Sequence, residues 1–234
     1  VAIQIESFVF VFARSLNSAA VPQITKNFSG GNSGRSIKLT SYISKYTFIL
    51  MCFVAFPVLL EMEFLLSIWL KEVPEGSATF CRLMILGALL GCLGEGIPAL
   101  VNATGNIKNY QIIIHSFTLL GLPISFVCYK LGATPFAILN VFCCISFLLA
   151  FIRLYLLKRI FDFDIRQFIE ISFIKIGFIS VPLLVFYILY NPALFPIWGH
   201  ILGIVLSEIF LVTVIVLIGL DKEERQLLAS FVKK

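Results

Sequence analysis

The residues of this chain that could do chemistry are ionisable side chains set inside long apolar runs. An ionised group at bilayer depth is costly, so each marks a candidate path for an ion, a proton or a charged substrate. The first run carries Gln4, Glu6, Arg14, Asn17 and Ser18. At about 100° per residue, Arg14 falls about 80° around a helix from Glu6, and Asn17 and Ser18 lie one turn from Arg14. These residues form a stripe suited to protein or water rather than lipid. Arg14 sits roughly 12 Å from the end of the run by helix rise. A planar guanidinium that stays charged suits phosphate oxygens, so Arg14, Asn17 and Lys26 are the candidate substrate-binding residues. A structural ion pair, or snorkelling of Arg14 toward the interface, is the alternative.

Glu95 is the second centre. It lies in GCLGEGIPAL, Gly91 to Leu100, where Gly94, Gly96 and Pro98 loosen a helix around a carboxylate. Broken helices with a charge at depth are a common way to build coupling sites, so Glu95 and Glu6 are the ion- or proton-coupling candidates. The same glycines could serve close helix packing alone. Glu208 reads as structural, His115 and His200 as hydrogen-bonded packing groups, and Lys175 and Arg82 as snorkelling side chains. Lys26, Arg35, Lys38 and Lys45 make a basic rim able to attract anionic headgroups, although orientation in the membrane alone asks for such charges.

No pattern of a catalytic site is present: no HExxH, GxSxG or Walker loop. The chain is therefore read as a non-enzyme, and without an ATPase motif any energy source would be a gradient. The six cysteines lie in apolar runs without CxxC or His-partnered spacing, so free thiols are expected, with no metal site, no cofactor and no disulfide frame. No nucleic-acid partner is expected. The 24 phenylalanines read as lipid-facing or packing residues.

Composition dictates the elements that must carry these groups. Hydrophobic residues make up 59% of the 234, charged residues 13%, and the mean hydropathy is +1.00. Such a chain has lipid as its solvent. Long continuous apolar runs, rather than alternating ten-residue segments, point to helices and not a barrel. The fold class is all-α: a polytopic transmembrane bundle with spans at about 1–22, 43–62, 79–103, 109–130, 133–156, 171–190 and 196–219. Polar breaks separate them: Asn27 to Ser36, Lys71 to Ser77, Ala103 to Asn109, and Asn191 to Pro196. Residues 1–220 form the bundle and 221–234 a charged tail. Met62 to Leu70 and Phe161 to Glu170 read as interfacial pieces. With the 23–42 loop inside, thirteen Lys and Arg lie on that side and three on the other, which places the C-terminus in the cytoplasm. A chain opening on Val1 within an apolar run is expected to be a fragment.

Several stretches resemble the C-terminal half of bacterial polysaccharide flippases of the O-antigen type, within the multidrug/oligosaccharidyl-lipid/polysaccharide exporter superfamily. They are VPQITKNFSGG (Val21 to Gly31), FLLSIWLKEVPE (Phe64 to Glu75), FCRLMI (Phe80 to Ile85), NATGNIKNYQ (Asn102 to Gln111), GLPISF (Gly121 to Phe126) and FIRLYLLKR (Phe151 to Arg159). The resemblance covers about 140 residues in the family's order. It implies one lobe of a larger inner-membrane transporter whose N-terminal half is a partner. It also implies an oligosaccharide on polyprenyl pyrophosphate as cargo, moved by alternating access. A cation-coupled drug exporter of the same fold is the alternative; a membrane-embedded glycan polymerase or ligase is disfavoured by short outer connections.

Overall fold

The computed structural model describes residues 2–161, 163–191, 197–221 and 224–226. Within the first helix the side chains of Glu6 and Arg14 lie outside the described residues, as do residues 192–196 of the Asn191 to Pro196 loop and the tail beyond Gln226. The helices are α1 (Ala2–Ser29), α2 (Ser33–Leu60), α3 (Met62–Trp69), α4 (Ser77–Gly91), α5 (Ile97–Thr104), α6 (Lys108–Leu119), α7 (Gly121–Lys130), α8 (Ala137–Phe161), α9 (Arg166–Phe168), α10 (Ile174–Leu189) and α11 (Ile197–Val214). No strand occurs among the described residues.

Among the described residues six helical segments are long and apolar enough to cross a membrane: Ser33–Leu60, Ser77–Gly94, Lys108–Lys130, Ala137–Arg159, Arg166–Leu189 and Gly199–Gly219. The chain is a multi-pass membrane protein of all-α class. Six of the seven expected spans thus fall on helices of this kind. The first expected span is also helical, 28 residues long, but it is not among the six. Its polar stripe is the physical reason: Gln4, Glu6, Arg14, Asn17 and Gln23 dilute the apolar residues, as fits a helix serving protein or water.

Glycine sets the two sharpest reversals. After α1, the Gly31 N–H bonds to Phe28 O and the Asn32 N–H to Asn27 O, with Gly31 at φ 78°. This closes the helix with a left-handed residue that glycine adopts without strain. The same pair of bonds recurs where the apolar run at Leu131 to Ala133 is barely interrupted. There Gly132 N–H bonds to Tyr129 O, Ala133 N–H bonds to Cys128 O, and Gly132 sits at φ 86°.

Helix α2 is the most buried of the six spanning segments. Ser36, Thr40, Ser44 and Thr47 form one stripe along it, all fully buried. Small polar residues let helix backbones approach closely in lipid, where no hydrophobic force drives helices together. Ser36 Oγ donates to Ile24 O of α1 at 3.2 Å, stitching the first two helices. Two cores flank this stripe. One gathers Met51 and Ala55 of α2, Met62 and Leu66 of α3, Ile85 of α4, Ile179 of α10 and Leu211 of α11, towards the α3 end. The other gathers Ile24, Ile97, Leu100, Val101, Tyr110 and Leu157 towards the α1–α2 turn.

The two pieces expected to be interfacial are amphipathic. Helix α3 buries Met62 and Leu66 while Ile68 and Trp69 are exposed. In the connector, Phe168 is buried and the Phe163 ring meets Phe28 edge-on, whereas Arg166 and Glu170 pair on the exposed face. The connector then runs into α10 through a π turn at Ile169–Phe173.

A candidate functional site at the interrupted helix between α4 and α5

Helix α4 tightens into a 3-10 turn at Cys92–Gly94 and restarts as α5 at Ile97. Proline explains the interruption. In a regular helix the N–H of residue 98 would bond to the carbonyl of residue 94, and Pro98 has no N–H to give. Gly94 O is left open, and Arg153 Nη1 of α8 donates to it at 3.3 Å. Glycine at position 94 admits that side chain, because a Cβ there would stand 3.2 Å from Arg153 Cδ. An open carbonyl in lipid costs several kcal/mol, so Arg153 takes the place of the missing backbone donor.

Between the two helical pieces Glu95 is half-buried, and its Oε1 accepts a 3.0 Å hydrogen bond from Asn17 Nδ2 of α1. A substrate-binding candidate and a coupling candidate, 78 residues apart in sequence, therefore meet. Gly96 closes the site against α2: its N–H donates to Ser44 Oγ at 3.2 Å, and a Cβ on it would lie 2.6 Å from Thr40 O. Gly96 serves close contact with α2, and Gly94 makes room for the Arg153 side chain. Nearby, the Tyr110 hydroxyl is fully buried. Neither that hydroxyl nor Arg153 Nε has a partner among the described residues.

Arg14 lies one turn before Asn17 on the α1 backbone, with its side chain and that of Glu6 outside the described residues. Lys26 is exposed in the last turn of α1, about 13 Å of helix rise from Asn17. The structure thus brings Asn17 and Glu95 together and sets Lys26 apart from them. His115 is exposed on α6, and Glu208 half-buried on α11. Arg82 pairs with Glu63 at 3.2 Å and also donates to Leu59 O.

Two further polar clusters sit at the ends of the bundle. At the α1–α2 end Lys45, expected in a basic rim, is instead fully buried. Its Nζ lies 2.6 and 2.8 Å from the two Glu224 carboxylate oxygens, and Tyr46 donates to the same carboxylate. The rest of the bundle covers Lys45, which is why it does not serve the rim. Beside it Lys175, expected to snorkel, pairs with Asp221 at 2.8 Å. The hydrogen bond from Lys175 holds the Asp221 carboxyl below its ordinary range, against burial, which raises it. Burial raises Glu224 as well, but hydrogen bonds from Lys45, Tyr46 and the Asp221 backbone outweigh it and leave the carboxyl lowered. At the α3 end, buried Glu61 binds His200 and Tyr190.

The chain matches no protein-family profile, no curated protein and no solved structure. Sequence reasoning missed Arg153, which it counted only as an inside charge, and Tyr110. The signal that could have found Arg153 is Pro98: a proline inside a membrane helix opens one carbonyl, and some donor has to close it.

Proposed function

We propose that this chain is one lobe of a flippase that carries oligosaccharides on polyprenyl pyrophosphate across a bacterial inner membrane by alternating access. The C-terminus lies on the cytoplasmic side, and an N-terminal lobe supplies the other wall of the cavity. The sequence resemblance supports the class of cargo, and the six-span bundle is the kind of scaffold it needs. The observation that carries the site is the Asn17–Glu95 hydrogen bond at a helix interrupted by Pro98. Discontinuous helices with polar groups at depth are where transporters bind and couple. On this reading Arg14 and Asn17 meet the pyrophosphate end of the cargo, Lys26 guides it from the cytoplasmic rim, and Glu95 or Glu6 takes the coupling ion.

The test is complementation. In a strain lacking its own flippase, the full reading frame containing this chain restores surface polysaccharide, and Asn17→Ala or Glu95→Gln reduces it at least tenfold at equal membrane level. Normal export by both variants would remove the site from the mechanism. A second reading, export of cationic drugs by antiport, is favoured by the acidic Glu95 at the break. Drug resistance conferred without polysaccharide export would establish it instead.

A further inference from the structure

The α3 end of the bundle holds a cluster that the flippase reading does not use. Glu61 is the hinge residue between α2 and α3, capping the end of one and the start of the other. It is 1% exposed. Its two carboxylate oxygens are taken by different partners: Oε1 accepts from the Tyr190 hydroxyl just beyond α10, and Oε2 lies 2.7 Å from His200 Nδ1 of α11. Phe64 of α3 stacks on the His200 ring with centroids 4.4 Å apart and planes 11° from parallel. Gly203, one turn along α11, leaves the room: a Cβ there would sit 3.0 Å from Glu61 Oε1 and would overlap the Tyr190 hydroxyl.

We propose that Glu61, Tyr190 and His200 form a proton-binding clasp that ties α10 and α11 to the α2–α3 corner. The chemistry follows from the donor count. On this proposal the proton between Glu61 Oε2 and His200 Nδ1 belongs to the imidazole, which leaves Glu61 a carboxylate that also accepts from Tyr190. Proton uptake is then left to Nε2, and the His200 side chain is 21% exposed while Glu61 is 1% exposed, so the imidazole is the group a proton can reach. The uptake turns a buried cluster of net charge −1 into a neutral carboxylate–imidazolium pair, with no other bond made or broken. A buried pair of opposite charges resists separation more than a carboxylate held by neutral donors does. Acidification on this side therefore tightens the clasp.

Other charges on the elements meeting here do not compete for Glu61. Glu63 of α3 and Arg82 of α4 pair with each other. Lys71, Glu72 and Glu75 are exposed in the following loop. Glu208 lies two turns farther along α11.

The test reads the imidazole and the helix rather than transport, so its outcome is separate from that of the flippase proposal. In 15N-histidine spectra of the protein in lipid nanodiscs, the His200 signals are those lost in H200Q. The expected result is an Nδ1-protonated ring at pH 8 that gains a proton at Nε2 by pH 5. Amide exchange in residues 199–206, corrected for intrinsic pH dependence, slows at least fivefold over the same range. Glu61→Gln, or the milder Tyr190→Phe if the first does not fold, weakens both the Nδ1 preference and the exchange change. A His200 ring that takes no proton between pH 8 and 5 would overturn the proposal. So would exchange in α11 that is independent of pH, or a response unchanged in both variants.

Discussion

Asn17 of α1 donates its side-chain amide at 3.0 Å to the carboxylate of Glu95, which lies in the interruption between α4 and α5. The contact joins the polar face of α1 to the interruption between α4 and α5. A hydrogen bond to a charged group contributes about 1.5–3 kcal/mol. Asn17→Ala should lower the unfolding temperature in nanodiscs accordingly. Asn17→Asp, which sets two carboxylates against each other, should lower it further. Equal stability of Asn17→Asp and the wild type would mean that the amide does not hold Glu95.

The pairing of Arg153 with the carbonyl opened by Pro98 makes a stronger, non-additive prediction. Arg153→Met leaves Gly94 O without its donor, at a cost of about 1–3 kcal/mol for a buried unsatisfied acceptor. Pro98→Ala restores a backbone N–H able to reach that carbonyl. The double variant should therefore recover most of the loss caused by Arg153→Met, a coupling that a double-mutant cycle measures directly. Additive effects would show that the arginine does not substitute for the missing N–H.

Gly96 and Gly91 provide a matched pair. A methyl at Gly96 would stand 2.6 Å from the Thr40 backbone oxygen, whereas nothing lies within 4 Å of one at Gly91. Gly96→Ala should destabilise by about 1–3 kcal/mol, as overpacking does. Gly91→Ala should be neutral or slightly stabilising, because alanine is the better helix former. Thermal unfolding of the two variants side by side decides this.

Asp221 and Glu224 are held to the bundle by the Lys175–Asp221 and Lys45–Glu224 pairs. Lys45 is the more buried partner of its pair, so Glu224→Gln, which strands a buried ammonium, should cost more than Lys45→Met, which leaves Glu224 able to turn to water. Both carboxyls are lowered in the folded protein. Their contribution is therefore complete above the unfolded value of about 4 and is lost as pH falls through the lower folded values. Limited proteolysis of the C-terminal segment should stay slow from pH 7 to 5 and accelerate below about pH 4. Cleavage already rapid at pH 6 would contradict the docking.

The spans were legible because lipid leaves the backbone few choices: an apolar run of the right length is a helix, and Gly132 with Lys130 was enough to mark where α7 ends. Glu95 and Asn17 stood out for a related reason, since polar groups at depth are conspicuous against Leu, Ile and Phe. Their contact was not legible, because it depends on how α1 lies against α4 and α5. Arg153 and Lys45 were counted as inside charges because the positive-inside rule counts a residue by the end of the helix it occupies, and Lys175, expected to snorkel, reaches Asp221 past the end of the last span. Long side chains reach inward as easily as outward, and only the packed neighbours, Gly94 O, Glu224 and Asp221, reveal which.

The most direct test of the central claim is a flipping assay in sealed vesicles. The full-length protein is reconstituted with lipid-linked oligosaccharide enclosed in the inner leaflet, and exposure to an external glycosidase is followed in time. The account predicts that wild-type protein exposes the oligosaccharide and that Glu95→Gln slows exposure at least tenfold, with the variant folded as judged by its unfolding temperature. Exposure at the same rate in Glu95→Gln, or none above protein-free vesicles for the wild type, would contradict it.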